Sequence, residues 1–221
     1  MSALIAPIVP AAARVPGRTA ARGVGLLLGL TLAAGWACAA TLDVKAVGSD
    51  GKPLADTVVF LESREAKAAV RPLSGTEVEQ AARRFTRAVT VVPVGSEVLF
   101  PNRDKVRHHV YSFSPIKTFE LKLYSGTPSN PVLFDKAGIA VLGCNIHDNM
   151  VAWVVVVETP YFAVSDVHGT VHLDNVPPGN YRLRTWHPAL PPGAPAADEP
   201  LVLGASGAVA NIKLPVTATP L

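Results

Sequence analysis

The sequence has few residues of the types that often identify a protein's class. Of its 221 residues 17% are charged and 6% are aromatic, and there are two cysteines and two methionines. The chain is long enough for one large domain or two small ones. Helix signals are also scarce, because only residues 76–85, TEVEQAARRF, could form a short helix, and they could equally form a strand and a turn.

No apolar run is long enough to span a bilayer comfortably. The longest, GVGLLLGLTLAAGWA, has about 15 residues, against roughly 20 for a spanning helix. It follows Arg14, Arg18 and Arg22 and ends in ACAA. Basic, apolar and small residues in this order predict a secretory signal peptide over residues 1–39 and a periplasmic mature protein without a membrane span. An uncleaved anchor is the alternative, and lipid modification at Cys38 is disfavoured by the preceding GWA.

Loss of this leader would change both the net charge and the number of cysteines. Its three arginines leave 17 basic residues against 17 acidic ones, so support for a nucleic-acid partner disappears. Cys38 would leave as well, which excludes a disulfide within the mature chain. Cys144 would then be buried and inert, paired with another chain, or bound to a metal.

The remaining sequence is rich in strand signals. Short segments with Val, Leu and aromatic residues, such as AVTVVPV, HHVYSFS and MVAWVVVVE, alternate with turns that contain Gly and Pro. This pattern predicts an all-β protein built as a sandwich or barrel.

One loop contains three metal-ligand residue types at even spacing. In GCNIHDNM, Cys144, His147 and Met150 follow a strand directly, so a turn can direct all three side chains to one point. A fourth ligand is available upstream in NRDKVRHHVYSFS, from His108 or His109, of which only one can face the same core because strand neighbours alternate. A thiolate, two imidazoles and a thioether suit copper, whereas structural zinc would more often have Cys or His in place of Met150.

These residues resemble a known family. VGSEVLFPNRDKVRHHVYSF followed by CNIHDNM and VAWVVVVE resembles the cupredoxins, the blue copper proteins, and most closely the amicyanin type. The resemblance covers about residues 76–158 and implies a Greek-key β-sandwich with one type 1 copper site at His108, Cys144, His147 and Met150. The sequence around the site is also similar to that of periplasmic proteins labelled methylamine utilization proteins.

The resemblance also implies a role for two residues that support the ligands. Asn102 matches a supporting asparagine of the family, and His109 occupies the position of another asparagine, which usually braces the ligand loop. Arg107 stands where amicyanins often have proline.

A second resemblance flanks the copper region. Residues 41–62 resemble the opening of a carboxypeptidase regulatory-like domain, and residues 159–215 resemble its second half. We therefore expect one small β-sandwich, split by the inserted cupredoxin, since insertion at a hairpin tip is tolerated. The alternative is one enlarged cupredoxin sandwich. In YRLRTWHP, Tyr181, Trp186 and His187 could form a glycan or partner surface, but core aromatic residues are the more common explanation.

The function expected from these features is electron transfer. The copper site would carry single electrons between transient redox partner proteins. The protein would not be an enzyme, because four protein ligands leave no position on the metal for a substrate. The alternatives are a glycan- or protein-binding sandwich in which copper is structural or handled, and a dimer linked through Cys144.

Overall fold

Strands make up most of the fold in the computed structural model, which describes residues 39–218; the predicted signal peptide lies outside them apart from residue 39. In chain order the elements are β1 (Ala40–Val47), β2 (Val58–Glu62), α1 (Arg64–Ala68), β3 (Thr76–Glu77), β4 (Gln80–Ala81), β5 (Arg84–Phe85), β6 (Val89–Pro93), β7 (Ser96–Leu99), β8 (His108–Ser114), β9 (Lys117–Tyr124), β10 (Val132–Phe134), β11 (Gly138–Cys144), β12 (Val151–Val157), β13 (Phe162–Val164), β14 (Thr170–Val176), β15 (Gly179–Trp186), β16 (Ala197–Leu203) and β17 (Ala208–Lys213).

Residues 76–157 contribute one pair of sheets, called sandwich I below. A five-stranded sheet has the order β6-β12-β11-β8-β9, and a three-stranded sheet has the order β10-β7-β3. Alternate side chains of both sheets point to a shared apolar cluster that includes Val98, Phe134, Leu142 and Val154. All four predicted ligands lie on or beside strands of the larger sheet.

The first two strands form two sheets with the last five, and these sheets are called sandwich II. One sheet has the order β14-β1-β17 and the other the order β13-β2-β15-β16. β1 is antiparallel to β14 and parallel to β17, whereas β2 is antiparallel to both β13 and β15. Their buried side chains, including Leu42, Leu61 and Leu183, form a second apolar cluster. Within residues 39–218, therefore, neither β1 nor β2 is hydrogen-bonded to a strand of sandwich I.

β12 is buried on both faces, which explains its unbroken run of valines. Val154 and Val156 belong to the core of sandwich I. Val155 and Val157 point the other way, into a third apolar cluster with Phe60 and Trp186 of sandwich II. Since neighbours on a strand face opposite sides, a strand covered on both sides needs apolar residues at every position.

The stretch 76–85, for which helix and strand were both open, forms short strands and a turn. β4 pairs with β5 across Ala82 and Arg83, which have φ of +53° and +58°. Within the described residues α1 is the one helix, and no helix there is long and apolar enough to cross a membrane.

Candidate metal centre

Two antiparallel strands bring the upstream histidine pair to the ligand loop. β8 begins at His108 and β11 ends at Cys144, and their register places Cys144 opposite Val110. The start of β8 therefore lies beside the end of β11. Two backbone hydrogen bonds then shape the loop, from the Asn145 N–H to the carbonyl of His109 (3.2 Å) and from the Met150 N–H to the carbonyl of His147 (3.0 Å).

Three of the predicted ligands converge on one point. One ligand atom each from His108, Cys144 and His147 lies within 4.8 Å of the others. Sγ of Cys144 is 3.8 Å from Nδ1 of His108, and the two imidazole rings have centroids 5.1 Å apart at an angle of 60°. The side chains of His108 and Cys144 are buried and that of His147 is half-buried. The arrangement thus combines one thiol and two imidazoles at the distances of a metal site.

An unsatisfied nitrogen shows that these residues fit a metal ion. Nδ1 of His147 is buried and has no hydrogen-bond partner among the described residues. A buried polar atom without a partner costs about 1–3 kcal/mol, so natural proteins rarely leave one unpaired. A soft cation held by Cys144 and His108 would accept this lone pair and remove the cost.

Met150 lies beside this group, at the end of the loop. Its side chain is 1% exposed and belongs to the same apolar cluster as Cys144. It directly precedes β12, whose start is fixed by pairing with β11. The thioether is therefore held in the core and available as a weak fourth ligand.

Asp104 holds the buried imidazole of His108, and sequence reasoning missed it. Its Oδ2 is 2.9 Å from Nε2 of His108, whose side chain is fully buried. A proton on Nε2, donated to this carboxylate, leaves the Nδ1 lone pair free to face Cys144.

The same carboxylate supports the turn between β4 and β5. Its oxygens accept the backbone N–H groups of Ala82 (2.8 Å) and Arg83 (2.9 Å), the two residues with positive φ. Burial by itself would raise the pKa of Asp104, but the hydrogen bonds from His108, Arg83 and Ala82 outweigh it and lower the pKa. Asp104 is therefore a carboxylate that joins the site to a neighbouring turn.

Asn102, expected to support the site, shapes the turn that precedes His108. Its buried amide donates to the carbonyls of Val106 (2.9 Å) and Tyr124 (3.0 Å). Its Oδ1 accepts the N–H of Asp104 at 2.9 Å. The amide thus sets the position of Asp104, and through Asp104 that of His108.

The side chain of His109 is not part of the group formed by His108, Cys144 and His147. Its Nε2 is 2.8 Å from Oε1 of Glu120 on β9, and its side chain is 13% exposed. Its contact with the ligand loop is made by its backbone carbonyl, which accepts the N–H of Asn145. The side chain that was expected to brace the loop therefore pairs with a neighbouring strand.

The residues considered for a glycan surface are buried. Tyr181 is 8% exposed and Trp186 is 4% exposed. His187 is buried, with Nε2 3.0 Å from the carbonyl of Ala55 and Nδ1 accepting the N–H of Ala189. Burial lowers the pKa of His187, so the imidazole is a neutral structural group.

Known proteins give similarity only to part of the chain. No family model and no curated protein matches. A Cu-containing nitrite reductase from Thermus scotoductus is 25% identical with a TM-score of 0.36; the match covers 40% of this chain and 23% of the reductase chain. A purple cupredoxin from Nitrosopumilus maritimus is 20% identical, with a TM-score of 0.33, over 37% of this chain and 99% of its own.

A Cu(I) form of an amicyanin methionine-to-alanine mutant is 23% identical, with a TM-score of 0.34, over 45% of this chain and 98% of its own. All three TM-scores are below 0.5, so they establish neither the family nor the function of this chain.

Proposed function

We propose that this protein is a type 1 copper protein that carries single electrons between redox partners. The observation behind the proposal is the buried, unpartnered Nδ1 of His147 in a group of two imidazoles and one thiol. Bound copper would supply a one-electron couple between Cu(I) and Cu(II). The mixed sulfur and nitrogen set suits both oxidation states, because thiolate and thioether favour the reduced ion and imidazole accepts the oxidised ion.

The protein residues would hold this site rigid. His108 is fixed at one ring nitrogen by Asp104, and the backbone hydrogen bonds of Asn145 and Met150 fix the loop. A side chain that is already held in place needs little rearrangement when the charge of the site changes. Cys144 and Met150 exclude water, since both are buried in the core.

His147 is the ligand from which electrons would leave. It is half-buried, whereas His108 is fully buried, and its neighbour Ile146 is 46% exposed. Brief docking of a partner protein over this loop would bring the partner closest to His147. We propose no catalytic role, because Met150 would complete a set of four protein ligands.

Export and module structure form the second part of the proposal. The composition of residues 1–39 supports a signal peptide and a periplasmic location. The presence of β1 and β2 in the same sheets as β13 to β17 supports a split carboxypeptidase regulatory-like module around an inserted cupredoxin at residues 76–158.

Copper titration of the purified exported protein tests the function. We expect an intense visible thiolate-to-copper band at one equivalent of Cu(II), which bleaches on reduction and returns on oxidation. In Cys144→Ser the band should be absent, while the circular dichroism of the sheets stays unchanged. A colourless wild-type complex, or a colour that survives in Cys144→Ser, would contradict electron transfer at this site. A reductant-sensitive dimer band on a gel would indicate instead that Cys144 links two chains.

A further inference from the structure

A cleft of about 800 Å³ opens between the two sandwiches, and none of the four predicted copper ligands lines it. One wall comes from residues 84–89 and β12 of sandwich I, and the other comes from Asp56 and Val164 of sandwich II. The volume lies within the range of about 300–1,000 Å³ that small-molecule sites occupy, and such sites often lie where two domains meet.

The cleft has two cations without partners. Arg84 and Arg87 line it, and in the part of the chain that the structure describes neither guanidinium forms an ion pair or a hydrogen bond. Both residues are exposed, and they are the two arginines in the lining of this cleft. A planar guanidinium matches a carboxylate with two parallel hydrogen bonds, so two free arginines on one wall favour an organic anion.

The floor of the cleft is apolar and partly aromatic. Phe85 and Val89 are buried, and Trp153 is half-buried with its ring 6.3 Å from that of Trp186. An inorganic anion would leave the exposed part of Trp153 in water, whereas a ligand with a flat apolar body would cover it.

A single carboxylate faces this wall from sandwich II. Asp56 lines the cleft and its side chain takes part in no hydrogen bond or ion pair within residues 39–218. This negative charge disfavours a dianion. It would accept a hydrogen bond from a hydroxyl group at the far end of a monocarboxylate.

We infer that this cleft binds an aromatic monocarboxylate, with the carboxylate on Arg84 and Arg87, the ring against Phe85 and Trp153, and a hydroxyl group toward Asp56. The inference stands without copper, because none of these residues is a proposed copper ligand. The rim includes Asn149 and Val151, on either side of Met150, so a bound ligand would touch the proposed copper loop.

Isothermal titration of the full exported chain without added metal tests the site with 2-naphthoate and its neutral counterpart 2-naphthalenemethanol. We expect the carboxylate to bind more tightly than the alcohol by a factor of about ten or more, because it gains charge-assisted hydrogen bonds. The double variant Arg84→Gln/Arg87→Gln should lose this difference. Arg71→Gln is the control for the substitution itself, since Arg71 is exposed and lies outside the cleft; it removes one positive charge, whereas the double variant removes two.

A third probe, 6-hydroxy-2-naphthoate, tests Asp56. It should bind several-fold more tightly than 2-naphthoate to the wild type. In Asp56→Asn, a substitution that the φ of +57° at this position tolerates, this advantage should shrink, because a neutral amide oxygen accepts a weaker hydrogen bond than a carboxylate does. Unchanged melting temperatures verify that the variants fold. The site is refuted if the carboxylate fails to bind, if it binds no better than the alcohol, or if Arg71→Gln weakens it as much as the double variant.

Discussion

Asp104 is the residue through which the surroundings of the site act on the proposed copper ion. Its carboxylate accepts hydrogen bonds from His108 and from two backbone N–H groups. Its negative charge stabilises the more positive oxidation state, so Asp104→Asn should bind Cu(II) about 10–100-fold more weakly, as removal of such partners typically does. Weaker binding of Cu(II) alone raises the reduction potential by about 59 mV for each tenfold change.

Potentiometric titration of copper-loaded wild type and Asp104→Asn measures this shift, with Asp135→Asn as a control at an exposed position outside the site. A purely structural role would change the melting temperature and leave the potential in place. An unchanged potential in a folded Asp104→Asn variant would therefore contradict the electrostatic role.

Single residues also show how far the sequence leads at this site. A metal-binding loop is indicated by the spacing of Cys144, His147 and Met150, because each of these side chains has an atom that can bind a metal ion. Asp104 lies four residues before His108, a spacing with fixed meaning on a helix but not on a turn. Its role depends on the Asn102 hydrogen bonds that shape the turn, and these were not predictable from spacing.

At the level of elements, β12 separates the two cores and offers a matched pair of substitutions. Val154 is fully buried toward sandwich I and Val155 is 2% exposed toward the third cluster. Each change to alanine deletes two buried methyl groups and leaves a cavity, so each should lower the free energy of unfolding by about 2 kcal/mol.

The two variants should differ in their effect on copper. Val154→Ala loosens the core that holds Cys144 and Met150, so it should shift the visible band, whereas Val155→Ala should leave the band in place. Chemical denaturation and absorption spectroscopy measure the two effects. Equal spectral shifts in both variants would show that β12 does not separate the cores in this way.

The pairing of β1 with β14 contains a pH-dependent contact. His172 stands opposite Asp43, with Nδ1 2.5 Å from its carboxylate and Nε2 3.0 Å from Asp174. The hydrogen bond to Asp43 and the charge of Asp174 raise the pKa of His172 above its usual value near 6.5. The contact therefore stabilises the fold fully below about pH 6.5 and is lost as the pH rises through the raised value.

Melting temperatures of the wild type and His172→Gln at several pH values test this contact. The advantage of the wild type should be greatest near pH 6 and should shrink toward about pH 8.5, as the imidazole loses its proton. His168→Gln, on an exposed turn, is the control. A difference that stays constant over this range would show that the charge of His172 adds no stability.

The elements also show which parts of the fold follow from local sequence. Alternating and apolar segments predict most strands, since each pattern reflects the faces that a strand buries. The parallel pairings of β1 with β17 and of β6 with β12 join distant segments, so no local pattern determines their register. The stretch 76–85 stayed open between helix and strand because Asp104, more than 20 positions from Ala82, stabilises its turn.

For the whole molecule, the third cluster predicts that copper binding stabilises both sandwiches together. A ligand present at 100 times its dissociation constant adds about 2.7 kcal/mol to the folded state. Phe60 is 6% exposed and packs with Val155 and Trp186 between the sandwiches. If this contact couples them, copper should shift one common calorimetric transition of the wild type upward, and a chelator should reverse the shift.

Phe60→Ala should break this coupling, because replacing a buried phenylalanine by alanine typically costs about 3–5 kcal/mol. Calorimetry should then resolve two transitions, of which copper raises only the one that belongs to sandwich I. Cys144→Ser should show no copper-dependent shift in either background. Two separate transitions in the wild type would instead mean that the third cluster holds the sandwiches together too weakly to transmit the effect of copper binding from one core to the other.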